Sequence, residues 1–167
     1  MIRVVVDDLA SLTADAIVRP ATTRLDPTAA ALRRLEAAGG AEFHNRIRLS
    51  RELGVGAAVV TAAGGDLPAE FVIHAVISSD SEPVTRGNVA RAWLSALHQA
   101  QEWEFKHLSA PPIGTGAGNL TIEDAAEIMA TVLYAHQGGA AFPADVTFVV
   151  ERPEDRDVFE AALKANA

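Results

Sequence analysis

Three glycines at alternate positions form the part of this chain best suited to hold an anion. They lie in segment 110–120, which reads APPIGTGAGNL and follows a predicted strand. Glycine allows positive φ angles and lets backbone amides approach a ligand closely. Thr121 and Asp124 then match the Thr-x-x-Asp pattern of a helix N-cap, and amides at the start of a helix attract negative charge. The segment predicts a phosphate site, although a plain tight strand-to-helix connection would use the same residues.

Other reactive residue types give no comparable pattern. The chain has no cysteine, and its five histidines lack the spacing of a metal site or of a His-Glu-x-x-His motif. Its serines do not form a Gly-x-Ser-x-Gly nucleophile elbow. We therefore expect no metal, no cofactor and no cysteine or serine nucleophile. His74 lies in an apolar run, where a lone histidine is more often a hydrogen-bonded core residue than a general base.

Composition and charge limit the possible partners. The 167 residues are 49% hydrophobic and 22% charged, which predicts one globular domain over residues 1–167. The formal net charge of -8 disfavours nucleic acid, but local amides can still bind a small nucleotide. Apolar runs are well short of the roughly 20 residues of a membrane span, so no membrane partner is expected. The lack of cysteine and of a signal sequence predicts a cytoplasmic location.

Short β-branched runs alternate with segments of helical period. Strands are predicted at 2–6, 16–18, 57–62, 70–77 and 145–150, with one more before Ala110, and the third and fourth should be central because they are apolar on both faces. Helices are predicted at 28–38, 41–53 and 153–165, and after the caps Thr85 and Thr121. Trp93 and Trp103 are expected to pack in the core.

This alternation predicts a three-layer α/β/α sandwich with a mixed central sheet of about six strands. In such folds ligands bind beyond the carboxyl ends of the strands, where the glycine-rich segment would lie.

Four segments occur together in a familiar order. They are Asp7 to Leu9 after the first strand, Ala14 to Val18, Leu67 to His74, and Gly114 to Gly116. Over nearly the whole chain they resemble the macrodomain (Appr-1-p processing) family, in a divergent bacterial-type form. The resemblance implies a protein that binds ADP-ribose or a related adenine nucleotide. Some members hydrolyse ADP-ribosyl or acetyl-ADP-ribose esters.

The resemblance also implies which residues contact the ligand. Asp8 matches the family aspartate that accepts a hydrogen bond from the adenine amino group, and Leu9 matches the isoleucine beside it. Without the family context, Asp8 would be interpreted as an exposed turn residue. The second phosphate loop, which holds the pyrophosphate and distal ribose, corresponds to Ile113, Gly114, Thr115, Gly116, Ala117 and Gly118.

The first loop departs from the family pattern. Where the family has an asparagine pair and a glycine-rich loop, this chain reads RPATTRLDP over 19–27, and no glycine follows until Gly39. Thr22 replaces the second asparagine, which in the family contacts the distal ribose. Half of the phosphate cradle is therefore altered. Arg19 and Arg24 could replace the missing amides as phosphate clamps, or they could be solvated surface arginines.

Catalysis would need a group that positions water beside the ribose. Asp26 is the only carboxylate in the altered loop, and Thr22 could help to place the water, so these two are the candidate catalytic residues. Asp26 before Pro27 is also an ordinary helix start signal.

Three functions remain open from the sequence. The first is a nucleotide-binding module. The second is a hydrolase that removes ADP-ribose from a protein or an acetyl group, with an ADP-ribosylated protein as partner. The third is an interaction scaffold that has lost nucleotide binding, which the altered loop would favour.

Overall fold

A computed structural model describes residues 1–26, 33–40, 53–116 and 120–167 of the chain. Its strands are β1 (Ile2–Val6), β2 (Ala14–Thr22), β3 (Ala58–Ala62), β4 (Ala69–Ser78), β5 (His107–Ala110) and β6 (Asp145–Val150). Its helices are α1, described over residues 33–40, α2 (Arg86–Trp103), α3 (Ile122–Gln137) and α4 (Pro153–Asn166). A short 3-10 turn, Leu9–Ser11, follows β1.

The six strands form one mixed sheet in the order β1-β6-β5-β2-β4-β3. All neighbouring pairs are parallel except β3 and β4, and β1 pairs with β6 from Ile2 opposite Val146 to Val6 opposite Val150. Helices α2, α3 and α4 bury their apolar side chains against one face, whereas Leu35 of α1 packs on the other. The predicted three-layer α/β/α sandwich is thus confirmed.

The sheet corrects one prediction. The run at 57–62 was expected to be a central strand, but β3 is an antiparallel edge strand whose five residues are all partly exposed. A run of alanine and valine has the same composition at an edge as in the centre, so the sequence alone could not separate the two. The prediction is confirmed for β4, which lies between β2 and β3 and is buried from Val72 to Ile77.

The helix caps form as predicted, and the tryptophans differ from each other. Thr85 caps α2, and Thr121 caps α3 in a reciprocal capping box with Asp124. Trp93 is fully buried and donates from Nε1 to the carbonyl of Met129 at 3.0 Å. Trp103 is 48% exposed at the end of α2, so the expectation of a core position is wrong for it.

The predicted helices at 28–38 and 41–53 fall largely outside the described residues. Within the described part, residues 33–40 are helical and Leu53 is not. None of the helices in the ranges described above combines the length and the apolar character needed to cross a membrane.

Candidate functional site

A cleft of about 460 Å³ opens at the edge of the sheet where the parallel strands end. Residues just beyond three of these strands line it: Asp7 and Asp8 after β1, Pro111 after β5, and Glu151 and Arg152 after β6. This is the position expected for a ligand in an open α/β sheet.

The first wall of the cleft is a tight turn after β1. Asp8 has extended backbone angles and caps the 3-10 turn, with its Oδ1 accepting from the Ala10 amide at 3.0 Å. Asp7 braces the same turn, because its Oδ1 accepts from the Asp8 amide at 2.7 Å and from the Ser11 hydroxyl at 3.1 Å. Asp8 is therefore a turn residue that also lines the cleft, and Leu9 beside it is buried against the sheet.

The opposite wall is the loop after β5, whose shape requires glycine at position 114. Gly114 has a φ of +92°, and a Cβ there would lie 2.9 Å from both Leu120 Cδ1 and Val89 Cγ2. Its carbonyl accepts from the Leu120 amide at 3.2 Å, which closes the loop onto the start of α3. Thr115 and Gly116 line the cleft beside it. A side chain at 114 would disturb both the backbone angle and the packing.

Helix α3 begins at the same wall. Leu120 and Ile122 line the cleft on either side of the Thr121 cap, whose Oγ1 accepts from the Asp124 amide at 3.1 Å. The amino end of a 16-residue helix, with its partial positive charge, thus lies beside the glycine loop.

The charged side chains of the cleft are arranged in pairs. Arg34 Nη2 of α1 donates to Glu151 Oε1 at 2.5 Å. Arg152 binds Asp155 through two nitrogens, at 3.3 and 3.2 Å, and Asp155 raises the pKa of Arg152. Among the described lining residues there are two cations and four carboxylates, the latter being Asp7, Asp8, Glu151 and Asp155.

The position of Arg19 differs from one of the two interpretations that the sequence left open. It is fully buried on β2, so its interpretation as a solvated surface arginine is wrong, and it is not among the described residues that line the cleft. Its Nη2 donates to the Leu25 carbonyl at 2.6 Å and to Glu36 Oε1 at 2.5 Å. Burial lowers the pKa of Arg19, and the Glu36 carboxylate opposes that shift. Arg24, in contrast, is exposed and pairs with Asp80 at 3.0 Å, as a surface arginine would.

His74 completes this buried network and confirms the expectation of a hydrogen-bonded core histidine. Arg19 Nη1 lies 2.9 Å from Nδ1, and Thr61 Oγ1 lies 2.8 Å from Nε2. Because an arginine can only donate, Nδ1 is the acceptor and Nε2 carries the proton. Burial, with the Arg19 charge second, lowers the pKa of His74 to about 3. The ring is neutral and structural.

The two candidate catalytic residues form a turn of their own. Thr22 Oγ1 accepts from the amides of Arg24 and Asp26 at 3.3 and 3.2 Å, and the Thr22 amide donates to the Asp26 carbonyl at 3.2 Å. Neither Thr22 nor Asp26 is among the described residues that line the cleft. The helix start predicted at Asp26 involves residues 27–32, which lie outside the described part.

Five predicted ligand residues therefore meet at one cleft, whereas Thr22 and Ile113 are not among its described lining residues. Those that line it are Asp8, Leu9, Gly114, Thr115 and Gly116. The Ile113 side chain is fully buried in the core instead, and Ala117 and Gly118 lie outside the described residues. Within the described ranges, no group of three or more histidine, aspartate or glutamate side chains is placed to hold a metal ion.

Sequence analysis missed five of the six charged residues that line the cleft, namely Asp7, Arg34, Glu151, Arg152 and Asp155. Glu151 and Arg152 directly follow the predicted strand 145–150, so the rule that ligands bind at carboxyl strand ends could have found them. Arg34 gave no such signal, because it lies within a helix and its partner Glu151 is 117 positions away.

The fold and the cleft together define an α/β sandwich protein with a cleft at the carboxyl edge of its sheet. A family model described as Macro domain matches residues 18–129, and the chain belongs to this family. A macro domain-containing protein of Caldanaerobacter subterraneus is 30% identical over 161 residues, which cover 90% of this chain and 88% of that protein.

Two further similarities concern length and fold. An uncharacterized protein of Mycobacterium tuberculosis is 32% identical over 158 residues, which cover 95% of this chain but 43% of that protein. The chain thus spans less than half the length of this relative. The macrodomain of Oceanobacillus iheyensis, solved with ADP, has a TM-score of 0.83 at 24% identity, covering 97% of this chain and 89% of that one. A mutant of it was solved with ADPR, at a TM-score of 0.81, 24% identity, and coverage of 97% and 91%.

Proposed function

We propose that this chain is a binding module for ADP-ribose or a related adenine nucleotide. The observation that carries the proposal is a cleft with the Asp8 carboxylate on one wall and the loop Gly114–Gly116 with the amino end of α3 on the other. Its volume of about 460 Å³ lies within the 300 to 1,000 Å³ typical of small-molecule sites. Family membership and the ADP and ADPR seen in the O. iheyensis macrodomain support the same ligand class.

In this proposal, the Asp8 carboxylate recognises the adenine base. An ionised carboxylate only accepts hydrogen bonds, and the adenine amino group donates them. Oδ1 is held by the Ala10 amide, which fixes the orientation of the carboxylate and leaves Oδ2 to accept from the base.

The glycine loop holds the phosphates in this proposal. Gly114, with its positive φ, and the residues on either side of the Thr121 cap line the cleft together, which supports an anion site at this wall. Amides that are already fixed in place need no reorganisation when an anion binds, which favours affinity.

Hydrolysis by Asp26 and Thr22 stays a prediction. Both lone pairs of the Thr22 hydroxyl already accept backbone amides, and the cleft is lined by other residues. The binding module is therefore favoured over the hydrolase. We also propose that the ligand is carried by an ADP-ribosylated protein. We further propose that the chain acts in the cytoplasm.

The experiment is calorimetric titration of ADP-ribose, with AMP, ATP and NAD as competitors for specificity. We expect micromolar binding that prefers ADP-ribose and weakens about tenfold or more in Asp8→Ala, because a hydrogen bond to a charged group contributes about 1.5 to 3 kcal/mol. Asp8→Asn keeps an oxygen for the Ala10 amide but opposes the adenine amino group with another donor, so it should weaken binding while preserving the turn.

The matched control is Asp66→Ala, which removes an exposed aspartate that does not line the cleft. It should bind as the wild type does. Loss of binding in Asp66→Ala equal to that in Asp8→Ala would contradict a specific contact between Asp8 and the base. No heat and no thermal shift with any of the four nucleotides would reject the binding module and favour the interaction scaffold.

A further inference from the structure

The segment after β2 lacks the glycines that the loop after β5 has. Between Arg19 and Gly39 the chain contains no glycine, so the segment after β2 cannot easily turn its amides towards a phosphate. Arg19, the first cation of that segment, is buried and bound to Glu36. Among the described residues, we therefore look for a phosphate donor in the cations that line the cleft.

Arg34 is placed to supply it. It lies on α1 and lines the cleft, and its side chain is 54% exposed. Within the described residues its guanidinium makes one hydrogen bond, to Glu151 Oε1 at 2.5 Å. A guanidinium has five N–H donors, so most of its capacity remains for a second partner.

Arg152 is a weaker candidate for the same role. It caps the start of α4, where Asp155 binds it through two nitrogens and Glu154 lies 3.7 Å from its Nε. Two carboxylates thus surround Arg152, whereas Arg34 has one carboxylate partner at the surface.

We infer that Arg34 binds the diphosphate of the nucleotide and that Glu151, its partner in the structure, is the group that the diphosphate displaces. This inference rests on the proposed function and deepens it. A guanidinium matches a phosphate as it matches a carboxylate, with two parallel N–H···O bonds, so the exchange conserves its geometry. With four carboxylates lining the cleft, a diphosphate needs such a cation to offset their repulsion.

If the diphosphate replaces Glu151 on Arg34, substitutions at the two positions should change the affinity for ADP-ribose in opposite directions. Arg34→Gln should weaken ADP-ribose binding about tenfold, because a charge-assisted hydrogen bond is lost. Glu151→Gln should strengthen it about threefold, because the competing carboxylate is gone. Adenosine, which has no phosphate, should bind both variants as it binds the wild type.

Two exposed residues, Arg33 of α1 and Glu160 of α4, provide matched controls. Arg33→Gln removes an exposed arginine adjacent to Arg34 that does not line the cleft, and Glu160→Gln removes an exposed glutamate of α4. Both should leave ADP-ribose affinity unchanged. Thermal melting of each variant establishes that it is folded, and inorganic pyrophosphate as titrant tests whether the diphosphate alone makes the contact.

The double variant Arg34→Gln with Glu151→Gln separates exchange from simple repulsion. If Glu151 acts by holding Arg34, its removal should give no gain once Arg34 is absent. A gain that persists in the double variant, or wild-type affinity in Arg34→Gln, would overturn the inference while the proposed function stands. Equal weakening of adenosine would also overturn it. Failure of the wild-type protein to bind ADP-ribose would overturn the proposed function and this inference with it.

Discussion

Two regions at the carboxyl edge of the sheet, the loop after β5 and the segment after β2, hold their backbone in different ways. After β5, the wall consists of main chain held in a left-handed conformation at Gly114 and closed onto the α3 cap. After β2, the chain is fixed from below by a buried side-chain network of Arg19, Glu36 and His74. The first region lines the cleft with main chain, whereas the arginine of the second is bound inside the protein.

The two regions make different demands on the sequence. A loop that exposes amides needs a small residue and neighbours that fit closely around it, and this requirement is visible in the sequence as glycine. A buried ion network needs partners of complementary charge from other elements, and its cost is the removal of charges from water. Three experiments test whether the two regions depend on these devices.

The largest effect is expected for Arg19→Met. It removes the cation under Glu36 and leaves that carboxylate partly buried without its ion pair, which should lower the free energy of unfolding by about 3 kcal/mol or more. Urea unfolding measures the change. Arg24→Met is the control, because its ion pair with Asp80 is 70% and 88% exposed at its two side chains and should contribute less than about 1 kcal/mol. Equal losses in the two variants would contradict a special role for the buried network.

Lowering the pH tests the same buried network through the protonation of His74. Its pKa is about 3 in the folded protein, while an unfolded histidine has a pKa near 6.5, so the unfolded state binds more protons between these values. Stability should therefore fall as pH decreases through 6.5, by about 2 kcal/mol from this group between pH 7 and pH 5.

Urea unfolding of wild type and His74→Gln at the two pH values isolates that contribution. The variant cannot titrate at this position, so its loss between pH 7 and pH 5 should be about 2 kcal/mol smaller than that of the wild type. His98→Gln, which removes an exposed histidine of α2, is the control. Parallel pH profiles for wild type and His74→Gln would mean that the buried ring does not stay neutral.

The smallest stability effect is expected for Gly114→Ala in the loop after β5. The left-handed φ costs a residue with a Cβ about 1 to 2 kcal/mol, and the flexible end of Leu120 can move to reduce one contact, whereas the buried, β-branched Val89 can shift only slightly. Gly87→Ala, with no atom within 4 Å of the new Cβ and a place in the first turn of α2, should be neutral or stabilising. Chemical unfolding measures both, and a Gly114→Ala protein as stable as wild type would show that the loop does not need glycine.

Much of the fold could be predicted because its signals are local. Both β1 and β6 coincide with their β-branched runs, and the Thr121 capping box formed as its spacing indicated. The edge position of β3 could not be predicted, because it depends on which strand pairs with β4 rather than on the residues of β3 itself.

The residues of the site also fall into two groups, those with a local sequence signal and those without one. Asp8 and the glycine loop follow strand ends, so their place at the cleft was predictable from the order of the elements. The burial of Arg19 was not, because arginine is normally exposed and its partners Glu36 and His74 are 17 and 55 positions away. The pairing of Arg34 with Glu151 spans 117 positions and has no local signature at all.

The strand order also has a consequence for how the molecule forms. β1 and β2 are close in sequence, yet β6 and β5 lie between them in the sheet, and β1 pairs with β6 at a separation of 144 residues. Bringing such distant segments together is entropically costly and slow, so β1 can join only after β6 is available. β1, although it precedes the other strands of the sheet in the chain, is then among the last of them to find its place. The cleft, to which the end of β1 contributes Asp7 and Asp8, is completed at that final step.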